Sequence, residues 1–272
     1  MGLYGQRLNN HYFCSIMLTP VKKIFIPLLN LIGKQIEQKH FPKPPVLIGG
    51  CGRSGTTLLL SILSAHPSVF AFPDELSIYN HWKTNKKGEK VPLRKDRKYR
   101  YLLTHRIPGQ AVRWCEKTPY NVRYIEDILA HFKGNVRFIH IIRDGRDVCL
   151  SKHPDKPGTY WVEPERWIND VKQGLRFYDH PKVFTIYYEH LVFHYKKYIK
   201  ELLNFLEEPY TSQINEWISN TDVKTNKAWY GSVKNLHSQS VGKWKKAENR
   251  ERVEQLMAIP EFRSLLQTLN YV

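Results

Sequence analysis

Residues 50–57, Gly50-Cys51-Gly52-Arg53-Ser54-Gly55-Thr56-Thr57, combine the residue types that hold an oxyanion. Glycine admits positive φ and carries no side chain, so main-chain N–H groups can approach an anion closely. Arg53 adds a planar fork of donors, and Ser54, Thr56 and Thr57 add hydroxyls. The spacing fits the phosphate loop G-x-x-x-x-G-K-[ST] except that Thr56 stands in the lysine position, with the cation Arg53 three residues earlier. In magnesium-dependent chemistry that lysine contacts the β- and γ-phosphates. Its replacement therefore argues for phosphate binding without cleavage of a nucleoside triphosphate.

Such a loop has to be strung between a buried strand and a helix. Val46, Leu47 and Ile48 supply the strand. Gly55 opens the helix that Leu58, Leu59, Leu60, Ile62 and Leu63 continue, so its unpaired N–H groups and positive dipole end point into the turn. A second strand, Val136 to Ile142, stops at Arg143, with Ser151 a turn or two into the helix that follows. Arginine and a hydroxyl at that separation make a second anion site, and two separated sites suggest a nucleotide phosphorylated at both ends.

Further strands are expected at residues 114–119 and 183–187. Helices are expected through Val122 to Phe132, from Glu163 to Tyr178 and from Tyr195 to Leu206. The alternation predicts an α/β fold, a mainly parallel sheet flanked by helices, with ligands beyond the strand C-termini. Asp74 and Glu75 read as acids opening a helix, and residues 83–100, charged and poorly periodic, as a loop or lid. His140 reads as a satisfied core histidine. His66, before Pro67, reads as a brace for its loop through a backbone hydrogen bond.

Pro42, Pro44 and Pro45 divide the 272 residues into an N-terminal amphipathic arm, 1–44, and a single domain, 45–272. Within the arm, apolar residues from Ile16 to Ile36 recur near helical spacing with Lys22, Lys23, Lys34 and Lys39 between them. The pattern fits either an acidic membrane surface or packing on the chain's own domain. No run of about 20 apolar residues spans a membrane, and no convincing signal peptide is present. Cys14, Cys51, Cys115 and Cys149 are widely spaced, which favours reduced thiols and a cytoplasmic location, possible at a membrane's inner face, over disulfides or a zinc site. The net charge of +17 calls for anionic partners, but the basic clusters form no nucleic-acid module.

Taken together, these residues resemble the sulfotransferases that use 3′-phosphoadenosine 5′-phosphosulfate (PAPS). Arg53 to Thr57 is similar to that family's phosphosulfate loop, and Arg143 with Ser151 to its 3′-phosphate motif. Ser64-Ala65-His66-Pro67, Glu116-Lys117-Thr118-Pro119, Tyr187 to Leu191 and Val241-Gly242-Lys243-Trp244 continue the resemblance in the family's order, and its nearest branch is bacterial, related to tyrosylprotein sulfotransferases.

The resemblance implies transfer of a sulfuryl group from PAPS, in line, to an acceptor hydroxyl, with 3′-phosphoadenosine 5′-phosphate (PAP) as product and no metal. The implied base is Glu75, with Asp74 the near alternative. Arg53 and Lys117 would flank the transferring group, and Gly52, Ser54, Gly55, Thr56 and Thr57 would cradle it. Arg143 and Ser151 would hold the 3′-phosphate, Tyr188 would pack by the nucleotide, and Ser240, Val241, Gly242 and Lys243 would close over the phosphates. The acceptor stays open among a glycan, a lipid or sterol, a phenolic metabolite and a peptide tyrosine. The competing readings are a P-loop kinase or NTPase and a non-catalytic nucleotide-binding protein. Against the first stands the lost lysine; against the second stands a base beside two phosphate sites.

Overall fold

The computed structural model describes residues 10–79, 93–153, 155–226, 231–236 and 238–272. Five strands, β1 (Val46–Gly50), β2 (Val69–Ala71), β3 (Arg113–Lys117), β4 (Arg137–Ile142) and β5 (Val183–Tyr187), form one sheet in the order β2-β3-β1-β4-β5. All four pairings are parallel, so every strand delivers its following loop to the same edge.

The helices are α1 (Asn10–His40), α2 (Thr56–Ser64), α3 (Lys95–Thr104), α4 (Ile125–His131), α5 (Gly145–Cys149), α6 (Pro164–Leu175), α7 (Tyr188–Phe193) and α8 (Tyr195–Leu206), followed by Ser212–Asn215, Trp217–Asn220, Arg250–Met257 and Pro260–Thr268. Period-two alternation decides which helix covers which face. Val46 and Ile48 of β1 pack with Leu59, Leu63, Leu202 and Leu206 of α2 and α8. Leu47 and Phe138 turn to the opposite face, over Val122, Ile125 and Ile128. Beyond them Trp167, Ile168 and Val171 of α6 cover Cys51 and Ile142.

Three expectations need correction. No helix starts at Asp74 and Glu75: both lie in a bend and coil segment, and Ser77 adopts φ 49°, which a right-handed helix cannot contain. Of the expected lid, residues 83–92 fall outside the described residues, but Lys95–Thr104 is a regular helix that buries Asp96, Lys98, Tyr99 and Leu102. His140 is buried as expected but not satisfied: among the described residues neither ring nitrogen has a hydrogen-bond partner, and burial lowers its pKa to about 3. It packs against Gly174, where a Cβ would come within 2.1 Å of its ring.

The end of α1 docks on the domain. Glu37 accepts from the buried Lys98 at 2.6 Å and from Trp114 Nε1 at 2.7 Å. Gly33 leaves just enough room for Tyr99, since a Cβ there would lie 2.3 Å from that side chain. On the same helix Phe25, Leu28, Leu31 and Ile32 remain exposed. His66 binds as anticipated, Nε2 to the Pro209 carbonyl at 2.9 Å.

Candidate active site

A cavity of about 540 Å³ opens at the C-terminal edge of the sheet. The loop after β1 forms its floor. Gly55 caps α2 with φ 96°, and a side chain there would strike Tyr188 at 2.5 Å, so the turn is restricted to glycine on two counts. Gly52, Arg53, Gly55, Thr56 and Thr57 line the cavity. Ser54 is fully buried beneath them, and its hydroxyl meets no partner among the described residues.

From the end of β4, Arg143 ties this floor to the rest of the site. Its Nη1 donates to the Arg53 carbonyl at 3.1 Å, its Nη2 donates to the Ser240 carbonyl, and its guanidinium lies 4.3 Å over the Tyr188 ring. Its Nε is buried with no partner among the described residues, a donor set that fits a phosphate. Ser151 lines the cavity beside it, with Oγ 3.5 Å from the Asp147 carbonyl.

Asp147 fastens the segment that was expected to close the site. Its Oδ2 accepts from Gly242 N at 2.7 Å and its Oδ1 from Trp244 N at 3.1 Å. Burial raises the Asp147 pKa, opposed by Arg143 and these two N–H groups. Ser240 Oγ meets the Tyr188 hydroxyl at 2.6 Å. Ser240 and Lys243 line the cavity, whereas Val241 and Gly242 border a shallow hollow next to it. Burial lowers the Lys243 pKa, and Arg143 lowers it further.

Glu75 lines the cavity on the side of β3. Its carboxylate takes Lys117 Nζ at 2.5 Å; the lysine is wholly buried while Glu75 is 40% exposed. Lys117 therefore meets the cavity through Glu75 and does not line it. Asp74 is exposed and away from the cavity wall. Behind the lysine, Glu116 accepts from Thr118 Oγ1 and from Asn121 Nδ2, and burial raises its pKa. Thr118 in turn accepts from Ser77 N at 3.2 Å, which fixes the segment carrying Glu75 to the end of β3.

Tyr120 and Arg166, which the motifs do not single out, also line the cavity. Trp161 lines it with Arg53 5.2 Å over its ring, but Trp167 belongs to the core against Phe262. Among the described residues the charged lining is Arg53, Arg143, Arg166, Lys234 and Lys243 against Glu75.

The model of the sulfotransferase family matches residues 44–212. The chain belongs to that family. It is 26% identical over 203 residues to a protein-tyrosine sulfotransferase of Drosophila melanogaster, covering 63% of this chain and 39% of the fly protein. A putative protein-tyrosine sulfotransferase of Caenorhabditis briggsae is 26% identical over 246 residues, 81% of this chain and 88% of its own. Two solved structures share the fold. The sulfotransferase domain of the Synechococcus PCC 7002 olefin synthase has a TM-score of 0.59 at 18% identity, over 85% of this chain and 96% of that domain. A mouse sulfotransferase complexed with PAP has a TM-score of 0.52 at 16% identity, over 85% of this chain and 89% of that one.

Asp147→Asn leaves a single good acceptor for two N–H groups. Hydrogen exchange at Gly242 and Trp244 should accelerate on the order of tenfold, the loss of one charge-assisted bond of about 1.5 kcal/mol, while the β4 amides stay protected. Unchanged exchange at both positions would contradict the anchoring role.

Proposed function

We propose that this chain is a PAPS-dependent sulfotransferase acting on an acceptor hydroxyl. The observation that supports it most is the convergence, in one cavity, of the β1 loop, Arg143 with Ser151, and the carboxylate of Glu75. The donor set fits PAPS: a helix N-terminus with Arg53 for the 5′ end, and Arg143 with a buried, unpartnered Nε for the 3′ end. Bound there, PAPS supplies the activated sulfuryl group, and the mouse relative by fold is described as complexed with PAP.

Glu75 is the general base, receiving the proton of the acceptor hydroxyl on its carboxylate. Lys117 orients that carboxylate from behind through its 2.5 Å contact. Arg53 and the N–H groups at the start of α2 stabilise the negative charge that gathers on the leaving phosphate oxygen. Tyr188 packs against Gly55 and holds the loop in register with Arg143, while residues 240–243 restrict water at the 3′ end. The names of the fly and nematode relatives support a phenolic hydroxyl as acceptor.

The arm is the second part of the proposal. Exposed Phe25, Leu28, Leu31 and Ile32, on a helix without an acidic residue before Glu37, suit the surface of an acidic membrane, with the catalytic domain on its cytoplasmic side. No described helix is long and apolar enough to cross a membrane.

Glu75→Gln should abolish transfer to a phenol, a loss of at least a hundredfold in rate on the scale of general-base catalysis (about 10²–10⁴-fold), with PAP affinity within about twofold of wild type. An active Glu75→Gln enzyme would move the base elsewhere. For the arm, vesicles containing phosphatidylserine should float the full chain but release the variant Phe25→Ser/Leu28→Ser/Leu31→Ser. Equal flotation of both, or of neither, would overturn the membrane reading.

A further inference from the structure

Arg166 stands on the first turn of α6 with no place among the expected donor ligands. Its setting is built. Asp170, one helical turn on and 1% exposed, takes Arg123 Nε at 2.5 Å and faces Arg166 Nε at 3.5 Å. Both guanidinium groups lie over the ring of Tyr120, Arg123 at 4.6 Å and Arg166 at 4.8 Å from its centre. One buried carboxylate and one aromatic plate thus fix the Arg166 guanidinium as a flat, oriented cation.

Its outer edge is directed to the reaction cavity. Arg166 Nη2 lies 3.0 Å from where a Cβ on Gly52 would be, so the guanidinium packs closely on the loop at a residue that has no side chain. Among the described residues neither terminal nitrogen of Arg166 meets an acceptor, and its Nε is buried without a hydrogen bond. The cation is therefore held at its inner end and unmatched at the end that lines the cavity.

Which ligand it meets follows from the topology. The 3′-phosphate end belongs to Arg143 and Ser151 after β4, and to Tyr188 after β5. Arg166 is carried instead by Tyr120, three residues beyond Lys117 at the end of β3, the strand whose end holds Glu75. Arg166 thus lines the same cavity as Glu75, beside the turn that follows Lys117. A fixed guanidinium in a partly desolvated wall binds a carboxylate in a bidentate fork, and rejects a neutral group that leaves it unpaired.

We propose that Arg166, positioned by Asp170 and Tyr120, is a specificity-determining residue that binds a carboxylate carried by the acceptor beside its hydroxyl. The inference rests on the sulfotransferase reading and adds the acceptor's charge to it. The test is calorimetry on the wild-type and Arg166→Gln proteins, first with PAP and then, at saturating PAP, with 3-(4-hydroxyphenyl)propionate and with its neutral isostere 4-propylphenol.

Wild type should bind the carboxylate phenol at least tenfold more tightly than 4-propylphenol. Arg166→Gln should erase that preference while its affinity for PAP and for 4-propylphenol stays within twofold, and Arg166→Lys should retain part of it. Equal affinity of wild type for the two phenols, or a preference that survives in Arg166→Gln, would overturn the proposal. A tenfold loss of PAP affinity in Arg166→Gln would also overturn it, by making the residue a donor ligand. Failure of the wild-type protein to bind PAP would instead overturn the sulfotransferase reading itself, and the comparison of phenols would still be made on the unliganded protein.

Discussion

The guanidinium of Arg143 is the interaction on which the site depends. It leaves the end of β4 and joins three segments distant in sequence: the Arg53 carbonyl of the first loop, the Ser240 carbonyl of the closing segment and the Tyr188 ring after β5. Each contact would be modest alone, about 1–3 kcal/mol for a hydrogen bond to a charged group. Together they use one cation as a structural cross-link and leave its Nε for a ligand. Asp147, one turn away, faces the same cation at 3.9 Å and grips the closing segment by two N–H groups. Binding of an anion at Arg143 would thus be felt simultaneously by the loop, the strap and Tyr188.

Around this hub the parallel sheet does the positioning. Every strand points the same way, so the phosphate loop, the Glu-Lys-Thr-Pro turn and Arg143 all emerge at one edge. The Glu75 side of the cavity is built by a separate chain of contacts. Glu116 holds Thr118, Thr118 holds Ser77, and Lys117 holds Glu75. That chain replaces the helix expected at Asp74, and it explains why a carboxylate on an irregular segment can still have a defined direction. Among the described residues five cations and one carboxylate line the cavity, a surplus that focuses a positive field into it.

Much of this was legible in the chain because it depends on local rules. Glycine spacing, β-branched runs and the apolar period of α2 and α8 located the sheet strands and the loop, and β5 and α8 have the bounds read from their residues. What escaped depends on partners far apart. Lys98 sits in a charged run that reads as solvent-facing, yet Glu37, 61 residues earlier, takes its ammonium into the interior. Ser77 has no local feature demanding a left-handed turn; its N–H is claimed by Thr118, 41 residues on. Arg166 and Asp170 share a helix face by their spacing, but only the fold brings Tyr120 to Arg166 and Arg123 and sets Gly52 against Arg166.

The central claim is that one bound nucleotide bridges the β1 loop and Arg143. A crystal structure of the protein with PAP tests it most directly. The account predicts the 5′-phosphate on the main-chain N–H groups of residues 54–57 and on Arg53, with the 3′-phosphate on Arg143 Nε and Ser151 Oγ. A nucleotide bound with its phosphates exchanged, or seated away from Arg143, would contradict it.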